Sequence, residues 1–141
     1  MKWKYEESAA ANAARELPKL AKAYFVAGRV ASQARQSPRE LHRFRIQTKR
    51  FRYALEMFAP VYGKDLAGRL EGLQQLQRLL GGISDAYTIR ELLKHDGAHK
   101  KDLHEHGKRR IEEFQQYWKT SFDAPHEMEG WIASLGRERN Q

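Results

Sequence analysis

The sequence predicts an all-α fold, an antiparallel bundle of about four main helices. Ala, Leu, Gln, Glu, Lys and Arg dominate and β-branched residues are few, which is the composition of helices. Apolar residues recur at spacings of three and four, whereas no stretch of useful length alternates as a strand does. The connections between periodic segments are short, which favours antiparallel neighbours. There is no internal repeat.

The first helix starts in the alanine-rich stretch 8–14, and Pro18 is expected to break or restart it, because proline is tolerated only in a first turn. From Pro18 to about Gln33, Leu20, Tyr24 and Ala31 share one face, which Leu17 extends. Arg15, Lys19, Lys22 and Arg29 share another. The second helix has a defined start. Ser37, Pro38 and Glu40 read as an N-cap, a proline in the first helical position and a glutamate three residues after the cap. It should run to about Phe58, with a turn at Ala59-Pro60 and Gly63. Leu66, Leu70, Leu73, Leu76 and Leu80 form the next stripe, which Gly81-Gly82 is expected to end. Ser84 and Asp85 then cap a short helix to about Lys94, and Gly97 interrupts. A last long helix runs from about His99 to Phe122, with Leu103, Gly107, Ile111, Phe114 and Trp118 on its buried side. Met128, Trp131, Ile132 and Leu135 suggest a short docked helix, and residues 136–141 are expected to fray.

A chain of 141 residues is one domain (1–141, with the helical core at about 15–122) and can hold a core without a metal or disulfide. The absence of cysteine excludes disulfides, thiolate metal sites and cysteine nucleophiles. No apolar run approaches the roughly 20 residues of a membrane helix. The start, Met1 to Glu7, lacks the apolar segment of a signal peptide. A cytoplasmic protein with no membrane partner is expected. Lys plus Arg exceeds Asp plus Glu by 26 to 18, a net charge of +8. That surplus suggests polyanion partners, although net charge alone leaves an unspecific basic surface equally open.

The second helix is the informative element. Phe44, Thr48, Phe51, Leu55 and Phe58 make its core face. His42, Arg45, Lys49 and Arg52 project within an arc of about 80° and extend about 15 Å along the axis. Arg43 and Arg50 sit on a neighbouring line. The only acid on the arc is Glu56, one turn beyond the row. The row is therefore expected to lack counter-charges from its own helix, and acids from other elements or an external anion must meet it. A linear chain of phosphates fits such a row: arginine offers bidentate geometry, lysine a point charge and His42 a donor. A capping or inter-helix role for His42 stays open. On the last long helix, Lys101, Glu105, Arg109 and Glu113 alternate in sign, the pattern of a self-neutralised solvated face.

The segment L-H-R-F-R-I-Q-T-K-R-F-R-Y-A-L-E-M-F resembles the signature helix of the CHAD family, the conserved histidine α-helical domain. L-Q-R-L-L-G-G-I-S-D-A, residues 76–86, is similar to a later family segment, usually closer to L-Q-D-L-L-G-E-L-N-D. Together these cover about residues 38–95. The resemblance implies a helical domain that binds inorganic polyphosphate through a basic surface, in members found alone, fused to triphosphate-processing domains or associated with polyphosphate granules. His42, Arg45, Lys49 and Arg52 match the family's histidine and the basic residues after it. Arg43 and Arg50 match basic positions as well, and periodicity extends the patch to Lys22 and Arg29. The chain departs from the pattern at Arg78, Gly82 and Ser84. Family domains usually contain two related halves, and this chain resembles the second alone. A homodimer would restore a two-bundle groove.

Other chemistry is sparse. Four of the six histidines lie between His95 and His106, but Gly97 is expected to break any helix that would align His95 with His99, so no metal site is predicted. Gly81-Gly82 has no following Walker-type lysine, and no nucleophile elbow, paired-carboxylate motif or kinase signature is present. No enzyme activity and no cofactor are expected. The competing readings are a nucleic-acid-binding protein, for which Tyr53, Tyr87 and Trp131 are the candidate exposed aromatics, and an accessory module for a polyphosphate- or triphosphate-processing enzyme.

Overall fold

A computed structural model describes residues 1–33 and 35–137. Its helices are α1 (Ala9–Ala31), α2 (Pro38–Met57), the single turn α3 (Ala59–Tyr62), α4 (Lys64–Leu92), α5 (Lys100–Tyr117) and α6 (Glu127–Leu135). A π-helical turn, Trp118–Phe122, continues α5. No strand occurs among the described residues. α2 packs on α1 and α4, α5 packs on α4, and α6 packs on α1. Of the tail expected to fray, residues 138–141 lie outside the described residues.

The start of α2 follows from its sequence. The Ser37 hydroxyl accepts from the Glu40 backbone N–H, and Pro38 occupies the first turn, where no N–H is required. Two breakers expected from the sequence do not break. α1 runs unbroken through Pro18, because Leu17 and Ala21 on either side are fully buried and keep α1 packed on α6. α4 likewise runs through Gly81-Gly82. Each glycine costs up to about 1 kcal/mol of helix propensity. Burial of Leu80 and Ile83 beside them contributes about 1.5–3 kcal/mol each and wins. A Cβ at Gly82 would only make ordinary van der Waals contact with the Arg110 side chain, at 3.5 Å. Pro60 sits in the first turn of α3 instead of in an open turn, and Gly63 then turns the chain at φ 70°.

The core is aromatic. Tyr24 stacks on Phe44 and Phe51, Phe25 on Phe122, and Trp118 on Phe122, with Trp131 against Phe51 and Phe122. Thr48 stands in this stripe for a reason. Its hydroxyl donates to the Phe44 carbonyl at 2.8 Å and accepts from the buried Tyr24 hydroxyl at 2.8 Å, tying α1 to α2. Burial, opposed by that hydrogen bond, pushes the Tyr24 hydroxyl pKa well up. Thr48→Val keeps the shape but strands the Tyr24 hydroxyl, so a loss of about 1–3 kcal/mol in urea unfolding is expected. Adding Tyr24→Phe should recover part of that loss, and a strictly additive double mutant would refute the coupling.

Residues 1–8 are tied down by buried polar groups on α1. Asn12 donates to the carbonyls of Lys4 and Ser8 and accepts from the Lys4 N–H at 2.7 Å. Glu16 accepts from the Lys2 N–H at 3.0 Å, and Trp3 stacks on Phe58. Burial opposes ionisation of Glu16. The Lys2 N–H and the charges of Lys19, Arg15 and the N-terminus outweigh it and hold the carboxyl below its ordinary 4.5. A lowered folded-state pKa contributes stability that is intact above the ordinary value and lost as pH falls through the lowered one. Acidification below pH 4.5 should therefore release the Lys2 amide to hydrogen exchange before the core amides. Glu16→Gln should remove that pH dependence.

Candidate functional site

Burial of the core face sets the two flanks of α2. Leu41, Phe44, Thr48, Phe51 and Leu55 point inward and are buried. One flank faces α4, which runs antiparallel. His42 and Arg45 line a groove of about 630 Å³ together with Ser84, Asp85, Tyr87 and Thr88. Lys49 and Arg52 continue the line from Arg45 at helical spacing and, like Arg45, are half-buried. Gly81 and Gln77 continue the line from Ser84 on α4, and neither carries charge. The other flank faces α1, where Arg50 and Gln47 border a smaller groove with Leu20, Ala23 and Ala27.

The charges on the first flank are only partly met. Among the described residues, His42, Arg45 and Lys49 make no ion pair. Asp85 lines the same groove yet approaches neither His42 nor Arg45 within 4 Å. Among the described residues, the buried Nε atoms of Arg45 and Arg52 and the Gln77 Oε1 find no hydrogen-bond partner. Arg52 differs from the rest of the row, and the expectation that the row has no counter-charge on its own helix fails there. Its Nε lies 3.1 Å from Glu56 Oε1, misaligned for a hydrogen bond, and its guanidinium sits 5.2 Å from the Tyr53 ring centre. The Glu56 end of this i,i+4 pair is exposed, and solvated helix pairs contribute only about 0.3–0.5 kcal/mol, so Arg52 is restrained but can exchange partners.

The extension of the patch to α1 does not hold. Arg29 is clasped by Asp123, with Nε and one terminal nitrogen donating at 2.8 and 2.9 Å. The hydrogen bonds to Asp123 raise the Arg29 pKa, desolvation opposes them, and the charges of Asp123 and Glu129 add to the rise. The π-helical turn brings this carboxylate in from 94 residues away. Lys22 is exposed and unpaired among the described residues, but it projects about 100–160° around α1 from Leu20, Ala23 and Ala27, which meet α2. Arg43 and Arg50 are exposed on the flank toward α1. The structure thus brings together His42, Arg45, Lys49 and Arg52, holds Arg43 and Arg50 on the opposite side of the same helix, and leaves Lys22 and Arg29 apart.

Two further expectations are corrected. The alternating ladder on α5 closes no i,i+4 pair among the described residues; the pair formed is Arg110 with Glu113, at 3.4 Å. Trp131 is 3% exposed and packs in the core, so it offers no platform, while Tyr53 and Tyr87 are 53% and 43% exposed. The contribution of Tyr87 and Asp85 to the groove was not legible in the sequence, because Gly81-Gly82 disguised α4 as two helices.

The family model of the CHAD domain matches residues 2–94, two thirds of the chain. The chain belongs to the CHAD family. No curated protein and no solved structure matches it. The CHAD match starts in the N-terminal segment held by Asn12 and Glu16 and ends in the turn after α4, so it contains both walls of the groove. It also reaches well before the two quoted motifs, to include all of α1. α5, the π-helical turn and α6 lie beyond it and supply Phe114, Trp118, Phe122 and Trp131 to the CHAD core. Among the described residues, no helix is long and apolar enough to cross a membrane, and no three His, Asp or Glu side chains gather as a metal site. His95 and His99 fall in the turn between α4 and α5, off any shared helix.

Proposed function

We propose that this CHAD domain binds inorganic polyphosphate, without catalysis, along the α2 flank that faces α4. His42, Arg45 and Lys49 bind phosphates, and Arg52 joins by exchanging Glu56 for a phosphate oxygen. CHAD domains are of the polyphosphate-binding type, and the single observation that carries the reading for this chain is the alignment of His42, Arg45 and Lys49 along one flank of α2 with no ion pair among the described residues. Some cations elsewhere are met by acids, Arg15 by Glu7, Lys19 by Glu16 and Arg29 by Asp123, while others such as Lys22 are as unpaired as the row; what sets the row apart is its alignment on one flank of one helix. A ligand that supplies phosphates at intervals neutralises the row and releases its counterions, so binding is salt-dependent and rises with chain length.

The test is direct competition between polyphosphate, RNA and DNA at near-physiological salt. Polyphosphate should displace both nucleic acids. Preference for a nucleic acid would replace this reading with a nucleic-acid-binding one, for which exposed Tyr53 beside Arg52 offers a stacking surface. A second copy of the chain would place another row across a shared groove. Sedimentation that finds only monomer, with and without polyphosphate, would exclude that assembly. Docking on a polyphosphate-processing enzyme and a location at polyphosphate granules in the cytoplasm are compatible with the same surface.

A further inference from the structure

We infer that the groove between the start of α2 and the end of α4 binds a nucleoside polyphosphate, with its phosphates at Arg45 and His42 and its base on Tyr87. The groove, of about 630 Å³, lies in the range of small-molecule sites. Its composition is more than a phosphate track requires. Leu41 and Ile83 supply an apolar floor, and Tyr87 lines the wall and is 43% exposed. Exposed Asp85 also lines the groove and pairs with neither Arg45 nor His42.

An inorganic polyanion gains nothing from the floor or the ring, and Asp85 repels it. A nucleotide uses all three. A base stacks on an aromatic ring. Asp85 accepts from an exocyclic amine or a ribose hydroxyl, the two donor types a nucleoside carries. The guanidinium of Arg45 takes the phosphates in bidentate fashion. Lys49 lies one turn further along α2, outside the groove lining, where a longer phosphate chain would run. The inference rests on the polyphosphate reading for the anionic end of the site and adds the nucleoside end.

The experiment titrates ATP, inorganic triphosphate and long-chain polyphosphate separately into the full chain by calorimetry, for wild type and Tyr87→Ala. Triphosphate carries at least as much charge as ATP, so electrostatics alone rank ATP equal or lower. ATP is expected to bind about tenfold tighter than triphosphate. Tyr87→Ala should bring ATP down to the triphosphate level and leave triphosphate unchanged. ATP binding no tighter than triphosphate, or a preference that survives Tyr87→Ala, overturns the nucleotide inference. If long polyphosphate still binds in that case, the polyphosphate reading stands; if it does not bind either, both readings fall together.

Discussion

Reversing Arg45 and Lys49 together to glutamate is expected to weaken polyphosphate binding at least about 100-fold. Each charged hydrogen bond is worth about 1.5–3 kcal/mol, and two are lost. The reversal also sets two repulsive charges against the ligand. Salt gives an independent readout. With about 0.7 counterions released per phosphate on a single-stranded polyanion, four contacts give a log–log slope of about −3, or about a 50-fold loss of affinity between 50 and 200 mM salt. Arg45→Gln with Lys49→Gln should reduce the slope by about half and leave the helical circular dichroism unchanged, because neither residue is fully buried. Arg52 is the weaker choice for this test, since Glu56 already holds it. Reversing Lys101 and Arg109 on α5 serves as the control and should change affinity by no more than about threefold. Equal losses from the two pairs would mean that net charge alone attracts the ligand.

The largest expected effect on stability lies away from this surface. Gly28→Ala should destabilise the fold by about 2 kcal/mol or more, although alanine is the better helix former by about 1 kcal/mol. A Cβ at Gly28 would lie 2.0 Å from Trp118 Cη2 and 2.3 Å from Cζ2. The indole cannot yield easily. It is 1% exposed, stacks on Phe122 at 5.0 Å and meets Tyr24 and Phe44 edge-on. Either α1 is pushed off the π-helical turn, or the ring leaves and opens a cavity of the kind that costs several kcal/mol. Urea unfolding measures the loss, and Trp118→Phe added to Gly28→Ala should restore part of it. A Gly28→Ala protein as stable as wild type would mean that the α1–Trp118 contact is looser than described.

What the sequence disclosed, and what it hid, divides along the range of the interactions. α2 was legible because its determinants are local: the Ser37 cap, Pro38 and Glu40 at the start, then Phe44, Thr48, Phe51 and Leu55 on one face. The order and spacing of its cations followed from the same periodicity. Pro18 and Gly81-Gly82 misled for the opposite reason. Local propensity argues for breaks, but the buried residues flanking each breaker on its own helix overrule it. The fate of Arg29 depended on Asp123, 94 residues away, and no periodicity on α1 could announce that partner. Arg52 is an intermediate case. Glu56 stands at i+4 on the same helix, and its position one turn beyond the row did not place it out of reach. The role of Gly28 was hidden too, since a glycine inside a helix reads as a defect until the ring that needs its space is located.

On the proposed function, polyphosphate meets the α2–α4 flank. Side-chain NMR resonances of the arginines and lysines, followed while polyphosphate is added at near-physiological salt, test it most directly. The first and largest shifts are predicted at Arg45, Lys49 and Arg52, with Arg29 unmoved in its clasp with Asp123. Shifts that begin on the lysines and arginines of α5, or that spread evenly over all cations, would contradict the account.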